Sequence, residues 1–488
     1  MPETNSIKSD EFISVARGQA VVEARQSAEG ECRILSAAAN VTTSVSEVFT
    51  GEVRYTGKVR FDCLILTGGR TECVSAVAEF SDKIASSSIV GGMKIMLSPE
   101  VINCEATSDG GAIKLVAVID IDALAVAHHG CDCISDTGDG IYSENSEIGY
   151  CSVIAEQSET VYVTDSITVK PCEILCVTSK AVVTAVDVGD GDVKISGAVY
   201  SNVITRADDL IASNRIVTPF VKSVAALGAD PACTAYADVC AVDSAAAIND
   251  EGKLELSVTL AIDAVVFAHR TAQTVIDVFC ADSVLETETS EILCCSVEPQ
   301  QTVTDAVDGQ VTLAPERLAA DNVLCVANTV CSIGDVRIDS GKVNVEGLVG
   351  GDVVYYNAEK NAVDTLSFRL PFSMPLSLHT DATEVRARAT VTDVTVKIRR
   401  ESVFDIKAEV AFTVRASSCK TVPAVVSVVR GEAIPAPDAT VIVHIAKPGE
   451  TLWQAAKALC CSPERVAEQN DCQAPFAGGE RLVNFCIK

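Results

Sequence analysis

Positive charge is scarce in this sequence: 38 Lys and Arg stand against 67 Asp and Glu, a net charge of −29. Such a chain repels phosphate backbones and anionic membrane surfaces, which sets nucleic-acid binding aside. Long apolar runs are also missing, since each is cut by a charge or a glycine well short of the ~18 residues that span a bilayer. No transmembrane segment is expected. The opening MPETNSIKSDEF lacks the basic and apolar regions of a secretory signal, so the expected compartment is a reducing cytosol. Absent too are G-x-S-x-G, a Walker loop and H-E-x-x-H, and neither an enzyme nor a cofactor is expected. Even so, 48% apolar residues are too many for a disordered acidic chain, and a folded protein follows.

What the chain has in excess is cysteine, 21 in all. An odd count does not fit a closed disulfide framework. Many stand where Val or Ala would serve in an alternating strand, such as Cys63 in VRFDCLIL and Cys240 in YADVCAV, and read as small buried hydrophobes.

The 488 residues are about three times the ~150-residue prior for one domain. Internal repeats account for that length. G-x-V-x-x-x-G-x-V occurs as GEVRYTGKV from Gly51, GDVKISGAV from Gly191 and GKVNVEGLV from Gly341. An aliphatic pair precedes each: Ile34-Leu35, Ile174-Leu175 and Val323-Leu324. SEIGYCSV from Ser146 and SEILCCSV from Ser290 open the later copies, and the degenerate DEFISV near Asp10 is expected to open the first. Each copy ends in a period-two strand, as in Leu254, Leu256, Val258, Leu260 and Ile262. Gly57 is expected at a bulge or a close backbone approach. The expected fold class is mainly β: three tandem antiparallel, sandwich-like domains over residues 1–140, 141–285 and 286–430, each with one shorter helical piece. A Pro-containing linker follows over 431–440, and beyond it the period changes to about 3.6.

Residues 441–488 read as a compact β-α-α-β unit. Thr451 with Gln454 forms a capping box, and Ser462 followed by Pro463 makes a second helix start. Strands flank the helices. Lys447-Pro448-Gly449-Glu450-Thr451-Leu452-Trp453, Asn470, and Gly479 with Leu482 resemble the conserved pattern of the LysM family, which binds N-acetylglucosamine polymers. The resemblance implies a groove lined by Gly449, Glu450, Thr451 and Leu452 on one side and Asn470, Asp471, Phe476 and Gly479 on the other, for protein or peptidoglycan. Leu452, Trp453 and Leu482 also read as caps and core. His444, Cys460 and Gly478 depart from the family pattern, which bears on sugar affinity rather than on the fold.

The repeats and the terminal module together resemble the SPOCS-domain spore-coat proteins of spore-forming bacteria. That resemblance implies a non-enzymatic structural adaptor in the mother cell, at the forespore surface, whose LysM holds the ATPase of the coat basement layer or another coat protein. A peptidoglycan-binding wall or cortex protein and a self-assembling homo-oligomeric envelope subunit are the rival expectations.

His128, His129, Cys131 and Cys133 are four soft-metal ligands in six residues. Chain neighbours converge poorly on one ion, and an exposed loop at a strand end is expected there instead. Asp136-Thr137-Gly138-Asp139-Gly140 and Gly189-Asp190-Gly191-Asp192 read as turns, because the closing carboxylate of a calcium loop is missing. Cys131, Cys133 and Cys472 are the candidate exposed thiols for intermolecular cross-links.

Overall fold

The computed structural model describes residues 3–27, 31–109, 111–138, 140–207, 210–317, 319–435, 440–472 and 474–485, and over them the chain is mainly β. Asp139 and residues 436–439 of the expected linker lie outside the described residues. Six strands come first: β1 (Glu3–Ser27), β2 (Cys32–Phe49), β3 (Glu52–Thr67), β4 (Arg70–Ala85), β5 (Ile95–Asp109) and β6 (Ala112–Asp136). They form two antiparallel sheets, β1-β6-β5 and β2-β3-β4. Val53, Val59 and Phe61 from one sheet and Ile113, Leu115 and Ile119 from the other share a buried core. Six more strands follow: β7 (Tyr142–Thr168), β8 (Glu173–Val188), β9 (Asp192–Ala207), β10 (Leu210–Ala225), β11 (Thr234–Ile248) and β12 (Lys253–Phe279). These give the sheets β7-β12-β11 and β8-β9-β10, the same strand order again.

The third set is β13 (Ser283–Val297), β14 (Gln301–Thr312), β15 (Asn322–Asp339), β16 (Lys342–Asn357), β17 (Ala362–His379), β18 (Glu384–Arg399) and β19 (Val403–Ala433). One sheet is β15-β16-β17; in the other, β19 pairs with β13, β14 and β18. The single first strand of the earlier sets is divided here at residues 298–300, where Pro299 has no N–H to give a ladder. No helix interrupts the described residues up to the end of β19. The helical piece expected in each unit is instead a short turn before the fifth strand in the first two sets, where the chain closes tightly around a positive-φ glycine, Gly92 or Gly228, and only the four residues 380–383 between β17 and β18 in the third.

The repeated glycines have different duties. Gly51, Gly191 and Gly341 have φ of +92°, +83° and +79°, which side-chain-bearing residues rarely adopt. Gly51 donates to Ile89 O and accepts from Ser86 N, so this turn also anchors the segment ahead of β5, and Gly191 does the same with Ala229 and Ala226. Gly57, Gly197 and Gly347 lie opposite Phe80, Phe220 and Phe372, whose rings occupy the space a Cβ would need. The close approach expected at Gly57 is made by the ring together with a backbone carbonyl, Thr42 O at 3.1 Å from a Cβ placed there, and there is no bulge at that position.

The last strand of each unit is longer than its sandwich. Burial alternates along β6 and β12, then becomes continuous at Ala123–Ala127 and Ala264–Phe267, where the strands leave the sandwich and are covered on both faces. Beyond that point β1/β6, β7/β12 and β13/β19 form three two-stranded ribbons packed on one another. Ile7, Ile148 and Ile292 meet in one cluster, at equivalent places in the three ribbons. The first copy therefore opens on Asn5–Phe12, five residues ahead of the expected DEFISV. Its signal is weak because Ser9 and Asp10 replace the residues that are Cys294 and Cys295 in the third.

At the other end, Leu35, Cys176, Ile204, Cys325 and Val354 form a second shared core. The aliphatic pairs are explained by it. Register shifts occur at Ile34/Ser36, Ile174/Cys176 and Val323/Cys325, so Leu35, Leu175 and Leu324 are the extra residues of three matching bulges, turned toward the neighbouring units.

Candidate functional site

The terminal unit consists of β20 (Val441–Ile445), α1 (Leu452–Leu459), α2 (Pro463–Asn470) and β21 (Arg481–Phe485). Both bonds of the capping box are formed: Thr451 Oγ1 accepts from Gln454 N at 3.2 Å, and Gln454 Oε1 accepts from Thr451 N at 3.0 Å. Ser462 caps α2, with Pro463 in its first turn. Cys460, where a left-handed residue is needed to end α1, has φ of 48°.

The eight residues expected to line a groove lie close together, but most of their polar atoms are engaged inside the module. Glu450 is buried, its carboxylate accepting from Lys447 N at 2.6 Å and meeting His444 Nε2 at 2.8 Å. The Lys447 amide, followed by His444, holds that carboxyl below the ordinary range against desolvation. Asn470 spans α2 and β21 with bonds to Val466 O, Val483 O and Val483 N. Gly449 N donates to Phe476 O, and Phe476 N to Glu450 O, which ties the two loops together over the buried Phe476 ring. Gly479 N donates to Ala446 O. Leu452 is half-buried against the module core, leaving Gly449, Thr451, Asp471 and Gly479 at the surface.

Trp453 faces the second unit rather than solvent. Its ring packs edge-on against Phe279 of β12 at 4.9 Å, and its Nε1 donates to Asp277 Oδ2 at 2.8 Å. Lys457 Nζ reaches both oxygens of the same carboxylate at 2.8 Å. Desolvation raises the Asp277 pKa, but the bonds from Lys457 and Trp453 outweigh it and hold the group below its ordinary 3.8. For a depressed acid the stabilisation is complete above the ordinary pKa and is lost as pH falls through the lowered one. Trp453 is the single tryptophan, so its emission reports this contact alone. Asp277→Ala is expected to red-shift that emission and open it to acrylamide at neutral pH, and wild type is expected to do the same only below about pH 3.8. Unchanged emission from the variant would show that the aspartate does not hold the module.

A cavity of about 650 Å³ lies where the three units converge, and its charged lining includes Glu100 of β5, Lys180 of β8 and Arg388 of β18, together with Lys58, Arg60, Asp62 and Asp243. Burial raises the Glu100 pKa to about 7 and lowers that of Lys180 to about 8. Lys180 Nζ donates to Thr329 Oγ1 at 3.0 Å. Cys331 lines the same wall, but burial pushes its thiol up to about 12, away from nucleophilic use.

The His-Cys segment is not a loop. Residues 128–133 continue β6 into the ribbon bundle, where Cys133 is fully buried and Cys131 half-buried. Neither the exposed loop nor an accessible Cys133 thiol is present, because the ribbons cover that face. Successive side chains point to opposite faces of a strand, so His128 is turned away from His129, Cys131 and Cys133 and the four do not converge on one ion. His128 Nδ1 is instead 2.7 Å from Asp10 Oδ1, and His129 Nε2 is 3.4 Å from Glu11 Oε2. Cys472 is half-buried, while Cys460 is the exposed free thiol among the described cysteines. Cys63 is buried as expected, and Cys240 is half-buried. Cys295 and Cys419, directly opposed on β13 and β19, form a disulfide that counting cysteines did not foresee.

No protein-family model, curated protein or solved structure matches the chain.

Proposed function

We propose that this chain is a structural adaptor without catalytic activity, acting in spore-coat or envelope assembly. Its three SPOCS-like units form the scaffold, and its LysM-like module docks the ATPase of the coat basement layer. One observation favours a protein over a glycan. The outward face of β20 and β21 carries Val441, Val443, Ile445 and Phe485, which are 39%, 56%, 62% and 48% exposed, while Ile442, His444 and Leu482 point inward. An apolar face of this kind, with the exposed Arg481 beside Ile445 at one end, suits a protein interface. A sugar needs free polar partners, and the carboxylate of Glu450 and the amide of Asn470 are engaged within the module. The charge of −29 also disfavours an anionic wall polymer.

Capture of the purified coat ATPase by the full chain tests the reading. Val443→Glu and Ile445→Glu are expected to weaken it roughly tenfold or more, the scale of ~1.4 kcal/mol, whereas Thr451→Ala leaves it intact. Equal capture by wild type and the face variants would defeat the adaptor reading. Saturable binding of peptidoglycan oligomers, lost in Thr451→Ala, would establish the glycan reading in its place.

A further inference from the structure

We propose that Cys295 and Cys419, once reduced, bind a zinc ion together with Glu11 and His129. The four residues come from two units: Glu11 and His129 from the β1/β6 ribbon, the cysteines from β13 and β19. A Glu11 carboxylate oxygen and the two sulfurs all lie within 4.8 Å of one another. Glu11 and His129 occupy one face of their ribbon, and Ser9, opposite His129 on that face, accepts from Cys295 N at 3.1 Å, which fixes the two ribbons against each other here.

His129 supplies an independent observation. Its Nε2 is buried and has no hydrogen-bond partner, although it stands 3.4 Å from Glu11 Oε2. Zinc bonds of ~2.0 Å to nitrogen or oxygen and ~2.3 Å to sulfur place tetrahedral ligand atoms about 3.3–3.8 Å apart. The imidazole–carboxylate spacing already falls in that range, while His129 stands outside the cluster formed by the carboxylate and the two sulfurs, so its ring would swing toward the sulfurs to take the fourth position. Two thiolates, an imidazole and a carboxylate are a donor set suited to zinc.

The site exists only in the reduced protein. A dithiol reductant transfers two electrons and two protons to the Cys295–Cys419 bond, giving two thiols and the oxidised dithiol. Zinc then replaces the two thiol protons, which leave to solvent as the thiolates bind. Reoxidation would eject the ion, so metal and disulfide are alternative clasps between the same two strands.

Cobalt(II) serves as the spectroscopic probe. Full-length protein, reduced and desalted under argon, is expected to take one equivalent into a site with the visible bands of a tetrahedral thiolate complex. Those bands should be absent from the oxidised protein and from Cys295→Ser and Cys419→Ser, and unchanged in Cys131→Ser and Cys133→Ser. Glu11→Gln and His129→Gln are expected to weaken competition by zinc by at least the ~10–100-fold that even outer-shell partners contribute. Circular dichroism establishes that these variants are folded, and zinc is expected to raise the melting temperature of reduced wild type but of none of the four ligand variants. Bands of equal intensity in Cys295→Ser/Cys419→Ser, or in oxidised wild type, would place the metal elsewhere and overturn the proposal.

Discussion

Phe267→Ala is expected to destabilise the three β-units as one body, by about 3–5 kcal/mol, the range for deleting a buried phenylalanine. The ring is fully buried where the ribbons leave the sandwiches. It packs edge-on against Tyr236 at 5.3 Å and against Phe12 of the first unit at 6.5 Å. Tyr236 in turn donates its hydroxyl to Ala416 O of the third unit at 2.9 Å, and the Arg415 guanidinium lies over the rings of both Phe12 and Tyr236. One side chain thus supports contacts among all three units, and the cavity it leaves cannot collapse without moving every ribbon.

Calorimetry separates this from three domains on a string. At about 2.1 cal/mol/K per residue, a cooperative body spanning residues 3–433 unfolds with an entropy near ~0.9 kcal/mol/K, so the expected shift is about 3–5 °C in a single transition. A unit of ~140 residues melting by itself would shift roughly three times as far, and the other two transitions would stay in place. That second result would show that the ribbon junction contributes little to stability.

How much of this was legible depended on the sequence distance over which each feature is encoded. Thr451 and Gln454 are three residues apart, Ser462 and Pro463 adjacent, and the strands of β12 alternate over a few residues, so helix starts and strand faces could be read directly. The glycine pattern was visible as a repeat, but its cause was not: Phe80, Phe220 and Phe372 sit on a different strand, in a register that period two alone does not set. Fusion of the units was hidden for the same reason. Ile7, Ile148 and Ile292 look like ordinary strand residues until the ribbons are built. The metal ligands were sought within six residues of one strand, whereas the cluster joins residues as far apart as Glu11 and Cys419. The Asp277 contact with Trp453 likewise has no local signal.

Replacing Gly197 by valine is the sharpest test of the repeated glycine. A Cβ at that position would lie 2.3 Å from Val182 O and 2.4 Å from Phe220 Cζ, both inside any tolerable contact. The ring can turn away; the carbonyl belongs to the β8/β9 ladder and cannot move without breaking its pairing. Removing a glycine from a strand ordinarily gains ~0.5–1 kcal/mol by restricting the unfolded chain, but the overpacking expected here is at or above the upper end of ~1–3 kcal/mol, so destabilisation wins. Gly350→Ala provides the contrast. Its nearest neighbours would be at 3.4 Å, ordinary contact, and a neutral to slightly stabilising effect is expected. In a Phe220→Ala background most of the Gly197→Val loss should persist, as measured by urea unfolding, because the carbonyl remains. If the loss vanishes there, the ring alone demands the glycine, and the motif is an aromatic seat rather than a backbone approach.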